Sequence, residues 1–99
     1  MSEYFVLDGH KAVAIDDPIK WAQEFSKVDM RRVAETEKDG VRVSTVFLGL
    51  NHSFGDGPLL LFETIIFGGK HDEDMDRYTT WEQAEEGHRR MCEVAFADG

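Results

Sequence analysis

Residues 41–69 read VRVSTVFLGLNHSFGDGPLLLFETIIFGG, two apolar runs on either side of a polar, glycine-rich loop. The first run holds Val43, Val46, Phe47, Leu48 and Leu50, and the second holds Leu59 to Phe62, Ile65, Ile66 and Phe67. Runs rich in branched and aromatic residues and bounded by Gly and Pro read as paired strands. An antiparallel sheet with one wet face alternates apolar and polar side chains. Here odd positions Val41, Val43 and Phe47 and even positions Val46, Leu48 and Leu50 are all apolar. The face turned away from any helices is therefore expected to be covered by a second copy or another protein.

The flanking sequence supplies the rest of the fold. Tyr4 to Leu7 and Lys11 to Ile15 form a hairpin around Asp8-Gly9, a pair that tolerates the positive φ of two-residue turns, and His10 sits at that turn. Asp17 caps a helix with Pro18 in its first position, and Pro18, Trp21, Ala22, Phe25 and Val28 recur along one face. Arg32 to Glu37 pairs with Val41 to Leu50 through Lys38-Asp39-Gly40. Thr80 and Gln83 make a capping box, after which Trp81, Ala84, His88, Met91, Cys92 and Ala95 line a final helix. Gly87, within that helix, costs about 1 kcal/mol relative to Ala, and close approach of helix to sheet would explain it. The order β-β-α-β-β-β-α predicts a single α+β domain over 1–99, two layers thick. Its sheet is mainly antiparallel, of about five strands, with two helices on one face.

Composition narrows the function. A net charge of -9 over 99 residues argues against direct nucleic-acid binding, which draws its affinity from neutralising phosphates. No apolar run approaches the roughly 20 residues a bilayer span needs, so no membrane partner is expected. The start Met1-Ser2-Glu3-Tyr4 lacks a basic region followed by an apolar one, and the single Cys92 cannot form an internal disulfide, which together favour a cytoplasmic setting. The acidity is concentrated: Asp72, Glu73, Asp74, Asp76, Glu82, Glu85 and Glu86 face one Arg77 within residues 71–86. These seven acids read either as a solvated surface or as a surface competing with DNA or RNA for a basic groove.

The loop after Leu50 carries the most concentrated polar chemistry. His52, Asp56 and Glu63 could form a proton-transfer pair or part of a metal site, and they are the catalytic candidates. Glu63 interrupts an apolar strand, and if it faces inward it needs a donor such as Arg42 or the backbone. The alternative for the loop is structural, with Asn51 and Asp56 bonding turn amides and Gly55 and Gly57 supplying positive φ. Asn51, His52 and Phe54 join the seven acids as binding candidates. His10, His52, His71 and His88 stand at no ligand spacing. Asp72, Asp74 and Asp76 imitate the start of a calcium loop, but Arg77 and Gln83 occupy its sixth and twelfth places. No metal site and no cofactor is implied, since the glycines show neither Walker nor dinucleotide spacing.

The stretch from Arg42 to Gly69, with RYTTWEQAEEGH at 77–88, resembles a family of short uncharacterised proteins encoded in bacteriophages and prophages. The family pattern often has a second Pro after Pro58 and Met in place of Ile65, so the chain departs from it there without touching a polar group. The resemblance implies a mobile-element setting and a bacterial host, and it implies no particular reaction. The expected function is that of a small acidic accessory protein that binds and modulates a host protein, an anti-CRISPR-like nucleic-acid mimic being one form, and that forms a homodimer. A small enzyme using His52, Asp56 and Glu63 and a minor virion or assembly component are the alternatives.

Overall fold

The two apolar runs pair as expected and form the centre of a computed structural model that describes residues 4–51 and 57–97, with the backbone alone for Val28 and Asp29. The elements in chain order are β1 (Tyr4–Asp8), β2 (Lys11–Ile15), α1 (Pro18–Phe25), α2 (Val28–Arg31), β3 (Arg32–Lys38), β4 (Val41–Phe47), β5 (Phe62–Phe67), β6 (Met75–Tyr78) and α3 (Trp81–Phe96). Every pairing is antiparallel: β1 and β2 form one sheet, and β3-β4-β5-β6 form a four-stranded meander. The α+β class stands. The strands divide between two sheets because β1 leaves the main sheet's register, touching it through the bridge Tyr4 to Leu50 and the bond from Phe5 N to Gly49 O at 2.9 Å.

Two local details differ from the sequence reading. The first hairpin turns on Gly9-His10, with Asp8 paired to Lys11. Gly9 at φ 64 takes the first central place, the pattern of a type II′ turn. The second hairpin keeps Asp39-Gly40, both at positive φ, as a type I′ turn requires. The second difference is β6, which forms inside the acidic segment. Its sequence Met-Asp-Arg-Tyr is short and charged, as edge strands that resist further pairing tend to be.

Asp17 caps α1 as expected, its Oδ1 accepting from the amides of Ile19 and Lys20 at 3.0 and 3.2 Å. The helix ends at Phe25, and α2 adds a single further turn. α1 leans on β1 and the end of β4, where Trp21 Nε1 donates to Gly49 O at 3.0 Å. Gly49 must be glycine twice over: its φ is 76, and a Cβ there would lie 2.8 Å from the Phe25 ring. α3, by contrast, crosses all four strands of the main sheet. Its cap works as a variant of the expected box. Gln83 N donates to Thr80 Oγ1 at 3.1 Å, while the Gln83 side chain accepts from Thr79 N, one residue before the cap, at 3.0 Å.

Alternation along the strands sorts the sheet into two faces. Val43, Thr45 and Phe47 of β4 and Phe62, Thr64 and Ile66 of β5 are buried beneath α3. Phe5 and Leu7 of the first hairpin pack against Phe47, Leu61, Phe62, Tyr78 and Ala84, so the small sheet closes the open end of the core. The opposite face carries Arg42, Ser44, Val46, Glu63, Ile65 and Phe67, half-buried to exposed.

Candidate functional site

Beneath α3 lies a buried chain of polar side chains. His88, 6% exposed, has Nδ1 2.7 Å from Thr45 Oγ1 and Nε2 3.0 Å from Thr36 Oγ1. Thr45 Oγ1 is 2.5 Å from Thr64 Oγ1, which accepts from the Tyr78 hydroxyl at 3.2 Å. If each group donates to the next, from Tyr78 through Thr64 and Thr45 to His88 Nδ1, the ring proton sits on Nε2 and donates to Thr36. Burial pushes the His88 pKa down and the Tyr78 pKa up, so both stay neutral near pH 7. With both ring nitrogens engaged, this histidine organises the core. Such a network is worth its polar cost only when every member is satisfied, as here.

Gly87 lets that chain exist. A Cβ on it would fall inside the ring of Tyr78, so the helix and the tyrosine can meet only at a glycine. The expected close approach is thus real, and its partner is a single side chain.

The β4–β5 loop is described at its ends. Asn51 Oδ1 accepts from Leu60 N at 3.1 Å, the turn-bonding role weighed for it. His52, Phe54 and Asp56 lie outside the described residues. Glu63 stands on the helix-free sheet face and pairs with Arg77, Nε to Oε2 at 2.9 Å, rather than with Arg42, which pairs with Glu35 at 3.2 Å. That charge-assisted bond occupies Glu63 Oε2.

The seven acids of residues 71–86 are all exposed, but they do not share one role. Asp72 accepts from Gly68 N at 2.6 Å and Asp74 approaches His71 Nδ1 at 3.1 Å, while Glu73 takes positive φ, so these three shape the β5–β6 turn. Asp76 Oδ1 accepts from Arg77 N. Glu82, Glu85 and Glu86 lie on α3, where Glu86 pairs with Arg89 and has Arg90 3.9 Å away. The bond and charge of Arg89 hold Glu86 below the usual carboxylate range. Among the described residues no group of three His, Cys, Asp or Glu side chains could hold a metal ion, and no helix is long and apolar enough to cross a membrane.

Two features were not legible in the sequence. His10 stacks face to face on Trp81, centroids 3.9 Å apart and planes within 5°, and both line a cleft of about 520 Å³ between the first hairpin and the start of α3. The contact joins residues 71 positions apart, beyond the reach of any local pattern. The other is which side chains meet across the helix-free sheet face. Cross-strand pairs place Val46 beside Glu63, Ser44 beside Ile65, Arg42 beside Phe67 and Ile65 beside Met75. Phe67 is 39% and Met75 51% exposed, and the Arg42 guanidinium lies 4.5 Å over the Phe67 ring.

Comparison of the chain with protein-family models, with characterised proteins and with solved structures finds no match.

Proposed function

We propose that this chain is a binding protein that self-associates through the helix-free face of its four-stranded sheet and acts, in a phage or mobile-element setting, on a protein of the bacterial cytoplasm. The observation that carries the reading is the composition of that face. Val46, Ile65, Phe67 and Met75 form its apolar centre, and Glu35, Glu63, Arg42 and Arg77 flank it as two ion pairs. The flanking charges cancel, whereas the whole chain carries -9. Two copies that repel elsewhere can approach there with the least electrostatic opposition.

Size sets the strength of the contact. Four strands about 4.8 Å apart and some six residues at about 3.3 Å cover roughly 400 Å². A standard interface takes about 800 Å² per partner, so the dimer is weak and dependent on concentration. The exposed acids of residues 71–86 support the second half of the reading, since a negative surface steers a basic partner and suppresses acidic ones. An anti-CRISPR-like inhibitor would use them in that way.

Sedimentation velocity over a wide concentration range tests the dimer. The wild-type chain should shift toward dimer as concentration rises, and the variant carrying Ile65→Asp and Phe67→Asp should stay monomeric with unchanged far-UV circular dichroism. A wild-type chain monomeric throughout would remove the dimer. Capture from host lysate, repeated with the seven acids neutralised, tests the acidic surface, because a partner retained after neutralisation would rule that surface out.

A further inference from the structure

Five of the six arginines lie within 4.0 Å of a glutamate: Arg32 and Arg42 beside Glu35, Arg77 beside Glu63, and Arg89 and Arg90 beside Glu86. Arg31 has no carboxylate partner among the described residues. Its Nη1 donates to Phe47 O at a long 3.4 Å, its guanidinium carbon stands 3.8 Å over the Phe25 ring, and its buried Nε has no hydrogen-bond partner. Burial without a counter-charge lowers its pKa. Charges withdrawn from water are ordinarily paired, because desolvation is otherwise uncompensated. An exception beside a cavity calls for an account.

The cavity is there. Arg31 lines a space of about 80 Å³ between β1, α1 and α2, walled mainly by Phe5, Leu7, Phe25, Met30 and Phe47. Glu24 also lines it, but its carboxylate is engaged by Lys27 at 3.3 and 3.4 Å. Met30, 66% exposed, stands at its rim. A planar guanidinium is matched best by a carboxylate, which can take two parallel bonds from it. Phosphate would have to give up its hydration to walls of phenyl and alkyl groups, whereas a carboxylate with an alkyl tail presents one anionic end and one apolar body. An apolar cavity of about 150 Å³ holds benzene, so about half that volume suits roughly three or four carbons.

We propose that this cavity binds a short-chain monocarboxylate of the size of butyrate, its carboxylate on Arg31 and its alkyl chain between Phe5, Phe25 and Phe47. The site shares no residue with the helix-free sheet face, so either can fail alone. Titration of the ¹⁵N-labelled chain at neutral pH with butyrate and with butyramide, its neutral counterpart of similar shape, tests the assignment without any variant. Butyrate should give saturable shifts at the Arg31 Nε–H and at the amides of Gly9 and Leu7. Butyramide should bind about tenfold more weakly or worse, the ratio a charge-assisted bond supports. Arg31→Met, checked for folding by circular dichroism, should lose the response. Equal binding of the amide, absence of saturable shifts with butyrate, or an unchanged response in folded Arg31→Met would each overturn the proposal.

Discussion

Replacing the mid-helix Gly87 by alanine is a change that ordinarily stabilises a helix by about 1 kcal/mol. In this chain it should do the reverse. The new methyl would enter the Tyr78 ring, and the ring cannot retreat without giving up the bond from its hydroxyl to Thr64. Overpacking of this kind costs about 1–3 kcal/mol and the lost bond about 1, so after the helical gain the net loss is about 2 kcal/mol. With a urea m value of about 1.5 kcal/mol per molar, the midpoint should fall by about 1.3 M. The decisive measurement is the same substitution beside Tyr78→Leu, which removes the outer half of the ring. There Gly87→Ala should become stabilising, giving a coupling of about 3 kcal/mol between the two sites. An equal effect of Gly87→Ala in both backgrounds, or a stabilised single variant, would show that the glycine is not there for the tyrosine.

Three further expectations follow from the same packing. Thr45→Val keeps the volume of a fully buried residue but strips His88 Nδ1 and Thr64 of a shared partner, and should cost about 2 kcal/mol in urea unfolding. Because burial lowers the folded pKa of His88, the unfolded chain binds its proton first as pH falls. The contribution of His88 is therefore fully present above about 6.5 and is lost as pH drops below that, with a slope of at most about 1.4 kcal/mol per pH unit. Urea midpoints at several pH values should show this loss, and His88→Gln should flatten it; an unchanged slope would place the titration elsewhere. Asp17→Ala removes the acceptor for two amides of α1 and should cost about 1 kcal/mol, with the midpoint again the readout.

Where local chemistry governs, the sequence by itself determined the outcome. Asp17-Pro18 and Thr80-Gln83 start helices because their side chains satisfy amides three or fewer residues away. The spacing of Trp81, Ala84 and His88 placed one face of α3 in the core, and Asp39-Gly40 adopts the positive φ that a tight hairpin needs. The doubled apolar pattern of β4 and β5 foretold a sheet face with more apolar surface than one helix layer covers. The same pattern could not say that the hairpin of β1 and β2 forms its own sheet, since its alternation would suit either.

Only the tertiary structure decided which distant side chains meet. The sequence offers Arg42 as a donor for Glu63, and cross-strand register assigned it Arg77 instead. His88 became the middle of a chain of hydroxyls because α3 crosses β3, β4 and β5 at Thr36, Thr45 and Thr64. His10 gained an indole through a contact with a segment remote in the chain. A side chain's propensity acts over one turn, whereas its partner is chosen by register and layer packing, which the order of residues constrains only collectively.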